Sequence, residues 1–148
     1  MKSMPDAVKA YLAAARVCRI ATVRGDGGPH IIPVCPAFDG EVTLYVDVAK
    51  DGVTARALGG NDRITAIVDE YHDDWSKLKA VILRCCAEAI QGTELERAWE
   101  LFRANYPQGQ AIGWEARLTL RCGYRTGPNG DWCARLDTGP NRAGQGQF

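Results

Sequence analysis

The order in which hydrophobic periodicity changes along the 148 residues constrains the fold more than any single motif. Val8, Tyr11, Leu12 and Ala15 recur at helical spacing, so residues 4–15 read as an amphipathic helix. Ser3 is placed to cap it, with Pro5 in its first turn and Asp6 near the positive end of the dipole. The period then changes to that of a strand over 18–23, and Arg24-Gly25-Asp26-Gly27-Gly28 makes a turn from residues that tolerate positive φ. Residues 30–35 follow as a second strand. Pro33 within it has no N–H for a ladder, so that strand is locally an edge, or its N–H side faces something other than another strand. Phe38-Asp39-Gly40-Glu41 is the strongest hairpin signal and 42–47 the returning strand, so three sequential antiparallel strands are predicted as a meander.

Residues 53–58 read as a short helix stopped by Gly59-Gly60. Residues 63–69 and 80–90 are two further strands. Thr93-Glu94-Leu95-Glu96 is a capping box opening a helix over 94–105, with Leu95, Trp99, Phe102 and Tyr106 as its apolar stripe. Residues 114–122 alternate Ala116, Leu118, Leu120 and Cys122 against Arg117, Thr119 and Arg121, which predicts a sixth strand. Strands joined by hairpins and short crossings, with helices as lids rather than alternating βαβ units, imply the α+β class and an antiparallel β-barrel with peripheral helices.

The length is that of one domain. From Gly123 the composition shifts to Gly, Pro, Asn and Gln, so the domain is expected to span 1–122 and residues 123–148 to form an irregular, partly mobile extension. Eighteen Lys+Arg balance eighteen Asp+Glu, which argues against a nucleic-acid partner, because nonspecific binding needs a cationic excess. No apolar run approaches the roughly 18–20 residues that span a bilayer, and the amino terminus is no signal-peptide core, so a cytoplasmic protein without a membrane partner is expected. The six cysteines contain no C-x-x-C pair; they are predicted to be buried free thiols.

No Ser elbow, no nucleophile–base set and no glycine-rich phosphate cradle is present. Asp69, Glu70, His72, Asp73 and Asp74 carry ligand-type atoms, but consecutive side chains diverge, and no metal site is expected.

Four ordered segments carry a family likeness. Residues 15–23 followed by Gly28-Pro29-His30-Ile31-Ile32-Pro33-Val34-Cys35 resemble the opening of the pyridoxamine 5'-phosphate oxidase-like FMN-binding split barrels. Asn61-Asp62-Arg63-Ile64-Thr65-Ala66-Ile67-Val68-Asp69 is similar to that superfamily's N-P-R-V-x-L-L-V-D strand. Asp69-Glu70-Tyr71-His72-Asp73-Asp74-Trp75-Ser76 is similar to the D-x-Y-x-D-D-W-S motif of its deazaflavin (coenzyme F-420)-dependent branch, and Ala104-Asn105-Tyr106-Pro107-Gln108 closes the match.

The resemblance implies a split barrel, a homodimer, and F-420 or FMN held in a cleft between the subunits. It further implies an oxidoreductase transferring a hydride between that cofactor and a small conjugated or aromatic substrate. By resemblance the ring is expected against Ile32, Pro33 and Val34 of the second strand and Tyr45, Val46 and Asp47 of the third, with Trp75 closing over the partner subunit's cofactor. Ile32, Val34, Tyr45 and Val46 have a plainer reading as barrel core. The phosphate end departs from the family pattern, because the positions expected to be cationic are Val53 and Thr54. Lys50 and Arg56 flank them and are the candidate phosphate ligands, Arg as a fork and Lys as a point charge; otherwise they are solvated surface charges. Two alternatives stay open: a non-catalytic flavin- or haem-binding carrier or sensor, and a degenerate barrel without cofactor.

Overall fold

The computed structural model describes residues 4–111, 117–123 and 137–138. Strand β1 (Cys18–Val23) turns at Arg24–Gly28 into the antiparallel β2 (Pro29–Val34). The turn closes through Arg24 N to Gly28 O at 2.9 Å, and Gly27 adopts φ +82, the left-handed conformation that favours glycine there. One residue later β3 (Pro36–Phe38) begins, and it pairs not with β2 but with β4 (Leu44–Ala49).

The predicted three-strand meander is therefore corrected. β2 stops at Val34, and the chain crosses at Cys35 to the far side of the sheet, because Pro33 and Pro36 bracket a stretch unable to sustain one ladder. The predicted hairpin does form, between β3 and β4. Its turn is longer than two residues, because one Asp39 carboxylate oxygen accepts from the amides of Glu41, Val42 and Thr43 at 2.8–2.9 Å. Those amides are thus lost to the ladder, and β4 starts at Leu44 instead of Val42.

Helix α2 (Val53–Gly60) retains both glycines in its last turn and ends at Asn61, whose N–H reaches Ala57 O at 3.1 Å. β5 (Arg63–Glu70) and β6 (Lys79–Ala89) pair along their length, linked by a short 3-10 turn at Trp75–Lys77. Helix α3 (Gly92–Asn105) begins two residues before its predicted start. Gln91 is its N-cap without a side-chain bond, so Thr93 caps nothing, and Glu94 is engaged elsewhere. Helix α1 (Asp6–Ala14) likewise has Pro5 at its N-cap position, the Pro5 carbonyl accepting from Val8 and Lys9; Ser3 lies outside the described residues.

β7 (Arg117–Gly123) fulfils the predicted sixth strand, with residues 114–116 outside the described residues. β8 (Asp137–Thr138) adds a short pairing to β6; most of the predicted extension also lies outside the described residues.

The strand order is β2-β1-β5-β6-β7-β4-β3, antiparallel at every pairing. Laid flat, seven strands would span about 29 Å. Yet the two ends of this row, β2 and β3, are joined through the single residue Cys35, a reach of at most about 7 Å. The sheet must curl, and the fold is an α+β split barrel.

Alternation follows from the curl. Cys18 and Ile20 on β1, Leu44, Val46 and Val48 on β4, Ile64, Ala66 and Val68 on β5, and Leu120 and Cys122 on β7 fill the interior with Val8 and Leu12 of α1. A second apolar cluster (Ala37, Tyr45, Ile90, Ala98 and Phe102) lies on the other face of β4 and docks α3 there. Cys18, Cys85 and Cys122 are buried free thiols as predicted, and burial pushes the Cys18 thiol up to about 12. Cys35 is a correction: the crossover leaves it exposed.

Tyr106 latches these parts together. Its hydroxyl lies 2.7 Å from Pro36 O and 3.2 Å from Arg16 O, while the Arg16 guanidinium sits over its ring and donates to Asn105 O. Tyr106→Phe leaves a part-buried carbonyl unpaired and should cost about 1–2 kcal/mol in urea unfolding. Burial pushes the phenol from 10.0 to about 12. Its contribution is therefore complete below pH 10 and is lost as the pH climbs towards 12, and the variant should lack that alkaline loss. An unchanged urea midpoint would contradict the latch.

Candidate functional site

The curled sheet does not close everywhere. Among the described residues β2 pairs with β1 alone, and β4 pairs with β3 only over Leu44–Val46. No ladder joins β2 to β4 among the described residues, although the two strands run close together. A seam therefore lies between Ile31–Pro33 on one side and residues 47–49 on the other, with backbone groups along both rims outside any described ladder. This is the edge that Pro33 predicts.

The predicted residues fall around this seam in three ways. Ile32, Val34 and Val46 turn their side chains into the barrel core; Ile32 and Val34 keep one backbone edge on the seam, whereas Val46 is paired with β3 on one side and β7 on the other. Tyr45 points to the opposite face, buried against α3, where its hydroxyl lies 3.3 Å from Glu94 Oε1. Pro33 is exposed on the rim, and neighbouring Ile31 is 63% exposed, the largest apolar exposure on that strand.

Asp47 is the group that stands out chemically. Its carboxylate, 12% exposed, takes a bond from Arg117 Nε to Oδ2 at 2.9 Å, and Arg117 Nη2 also reaches the Asp47 carbonyl at 3.0 Å. Asp47 Oδ1 is buried and has no hydrogen-bond partner among the described residues. Burial raises the Asp47 pKa, and the Arg117 bond and charge act against that rise.

At the end of β4 the chain turns tightly through Lys50, Asp51 and Gly52 into α2. A Cβ on Gly52 would meet the Ala49 carbonyl oxygen at 3.2 Å, so a side chain there would press on the turn. Lys50 and Arg56 are both exposed beside this turn, Arg56 donating to Asp51 O at 2.6 Å. The N-cap Gly52 offers no side-chain acceptor to the first-turn amides of α2. Val53 is exposed and Thr54 buried, so neither places a cation there.

Trp75 is 58% exposed on the 3-10 turn, with Tyr71 exposed nearby in sequence. The acidic side chains preceding it are tied locally. Asp69 binds Arg19 at 2.6 Å, Glu70 faces His72 at 3.2 Å, and Asp74 accepts from Ser76. Among the described residues no group of three or more His, Cys, Asp or Glu side chains is placed to hold a metal, and no helix is long and apolar enough to cross a membrane.

Sequence reasoning missed Arg117. Its only signal is the polar phase of the 117–122 alternation, and its pairing with Asp47 emerges once β7 lies beside β4 with Arg117 opposite Ala49. The same holds for Arg121, opposite Tyr45, which bonds both Glu94 and Glu88.

These residues suit a planar ring with a polar edge and an anionic tail. The seam rims offer backbone groups, Asp47 Oδ1 offers an empty acceptor, and Lys50 and Arg56 flank a helix N-terminus.

Comparison with known proteins bears on the family and the fold. The sequence profile of the family described as pyridoxamine 5'-phosphate oxidase matches residues 5–118. No curated protein matches. Among solved structures, a haem-binding protein from Mycobacterium smegmatis superposes with TM-score 0.68 at 18% identity, over 95% of this chain but 60% of that one. An FAD-binding protein from Mesorhizobium loti gives 0.62 at 22% identity, over 84% of this chain and 92% of that one. An F420 reductase gives 0.64 at 18% identity, over 81% and 94%. At these identities the structural likeness shows the shared fold.

Proposed function

The chain belongs to the pyridoxamine 5'-phosphate oxidase family, and on that premise we propose that it is an oxidoreductase moving a hydride between F-420, or FMN, and a small conjugated or aromatic substrate. The observation that carries the reading is the seam: unpaired strand rims meeting beside an empty buried acceptor, next to two exposed cations. The cofactor supplies the redox chemistry, accepting or giving the hydride. The chain's own residues supply position. Backbone from Ile32 to Val34 and at Asp47 orients the ring, Lys50 and Arg56 hold its phosphate, and the apolar interior behind Val34 and Val46 keeps water from its inner side. The cofactor-binding unit in this reading is residues 1–122, in the cytoplasm.

The assembly in this reading is a homodimer. Ile31 and Val23 are exposed on the outer face of the β1–β2 hairpin, and Tyr71 and Trp75 are exposed on the β5–β6 connection, with Trp75 of one protomer covering the cofactor of its partner. Ile31→Glu sets a charge on that face and should shift the protein from dimer to monomer in light scattering. Unchanged dimers would place the interface elsewhere.

Anaerobic titration with F-420 and with FMN, followed by fluorescence and calorimetry, tests the reading directly. Saturable binding of one at micromolar levels, and its turnover with a panel of conjugated substrates, supports it. No heat with either at high micromolar concentration overturns it in favour of a cofactor-free barrel. The second reading, a flavin or haem carrier or sensor, is favoured by His30, a half-buried imidazole on seam strand β2. Haem binding that shifts on His30→Ala, without turnover of either coenzyme, would select it.

A further inference from the structure

We infer that Asp47 reads the polar edge of the bound ring, its Oδ1 accepting the hydrogen of an imide N–H flanked by two carbonyls, with Arg117 as the positioning residue. This inference rests on the cofactor reading above and names the atom and the ligand group that meet in it.

Asp47 is the residue on β4 where the ladder to β3 has just ended, since the last pair is Pro36 with Val46. By the alternation of β4 its side chain leaves the barrel interior, where Leu44, Val46 and Val48 point. The two carboxylate oxygens are not equivalent. Oδ2 is held by Arg117 Nε at 2.9 Å, and the same guanidinium grips the Asp47 carbonyl at 3.0 Å, fixing side chain and backbone together. Oδ1 is buried without a partner among the described residues.

A buried carboxylate oxygen left empty is a costly arrangement, and folded chains keep few of them. The arrangement suits a donor that arrives with a ligand. A phosphate or carboxylate cannot fill it, because an anion brings no hydrogen and adds like charge. The anionic tail therefore belongs towards Lys50, and the ring belongs at Asp47. Of the donors on a tricyclic redox ring, the imide N–H is the strongest partner for a carboxylate, giving a charge-assisted bond. The other buried orphan, Thr22 Oγ1, faces the barrel interior and is a hydroxyl that rotates, so it selects no particular donor.

The test uses phosphate-free ligands, so that the unusual phosphate end plays no part. N3-methylriboflavin carries a methyl group where riboflavin carries the imide hydrogen, and binding is read by quenching of flavin fluorescence. The intact protein should bind riboflavin about ten- to a hundredfold more tightly than the methylated form. Asp47→Asn should erase most of that preference, and Arg117→Gln should narrow it, where a merely structural role would lower both affinities together. Equal affinity of the intact protein for the two ligands overturns the inference and leaves the cofactor reading standing; this comparison needs no variant to fold. A preference that survives in Asp47→Asn also overturns it, because another acceptor then reads the hydrogen. Failure of riboflavin, FMN and F-420 alike to bind overturns the cofactor reading, and the inference with it.

Discussion

Phe102→Ala should destabilise the protein by about 3–5 kcal/mol, the largest effect expected of any single substitution here. Phe102 is 2% exposed and is the largest of the fully buried side chains. It belongs to the cluster that fixes α3 to the outer face of β3 and β4, and its ring lies 6.3 Å from that of Tyr106. Truncation leaves a void between a helix and a sheet, two surfaces that cannot collapse onto each other without moving Tyr45 and Glu94. Urea unfolding with an unchanged slope and a lowered midpoint is the expected result. A loss below about 1 kcal/mol would mean that α3 contributes little to the fold.

The second large effect concerns the phosphate. With Lys50→Ala and Arg56→Ala combined, affinity for FMN should fall about a hundredfold, while affinity for riboflavin changes by less than about threefold. Each cation makes a charge-assisted contact with the phosphate oxygens in the proposed complex, and loss of two such contacts accounts for that ratio. Arg56 must first release the Asp51 carbonyl, so it can swing to the tail without breaking any element of structure. Titration of both ligands against the double variant decides the matter. Equal weakening of the two would show that the tail lies elsewhere on the protein.

Local periodicity in the sequence revealed most elements of the fold, and it misled where the decision was made at long range. β1, β5, β6 and α3 were legible because each buries one face by alternation or at helical spacing, and β7 because its residue types alternate, although Thr119 of its polar phase is buried as well. The pairing of β3 was not, because a three-residue strand carries no periodicity and because its partners are chosen by closure of the barrel. The capping box failed for a similar reason. Glu94 is drawn towards Arg121 across the sheet, and local capping loses to that pair.

At the candidate site, Pro33 correctly marked the edge strand, because a missing N–H is a property of the residue itself. The importance of Asp47 as a clamped carboxylate was hidden, because it depends on Arg117, far along the chain and beside it only through the β4–β7 register.

That register has a bearing on biosynthesis. β7 is the strand that stitches the half-sheet β2-β1-β5-β6 to the half-sheet β4-β3, and it is encoded after all of them. While the ribosome is still translating, two unfinished leaves of sheet must wait with their greasy inner faces wetted until Arg117–Gly123 clears the exit tunnel. Maturation of this protein is thus gated by its late-emerging segment, and a nascent chain stalled before it would be a natural client for holdase chaperones.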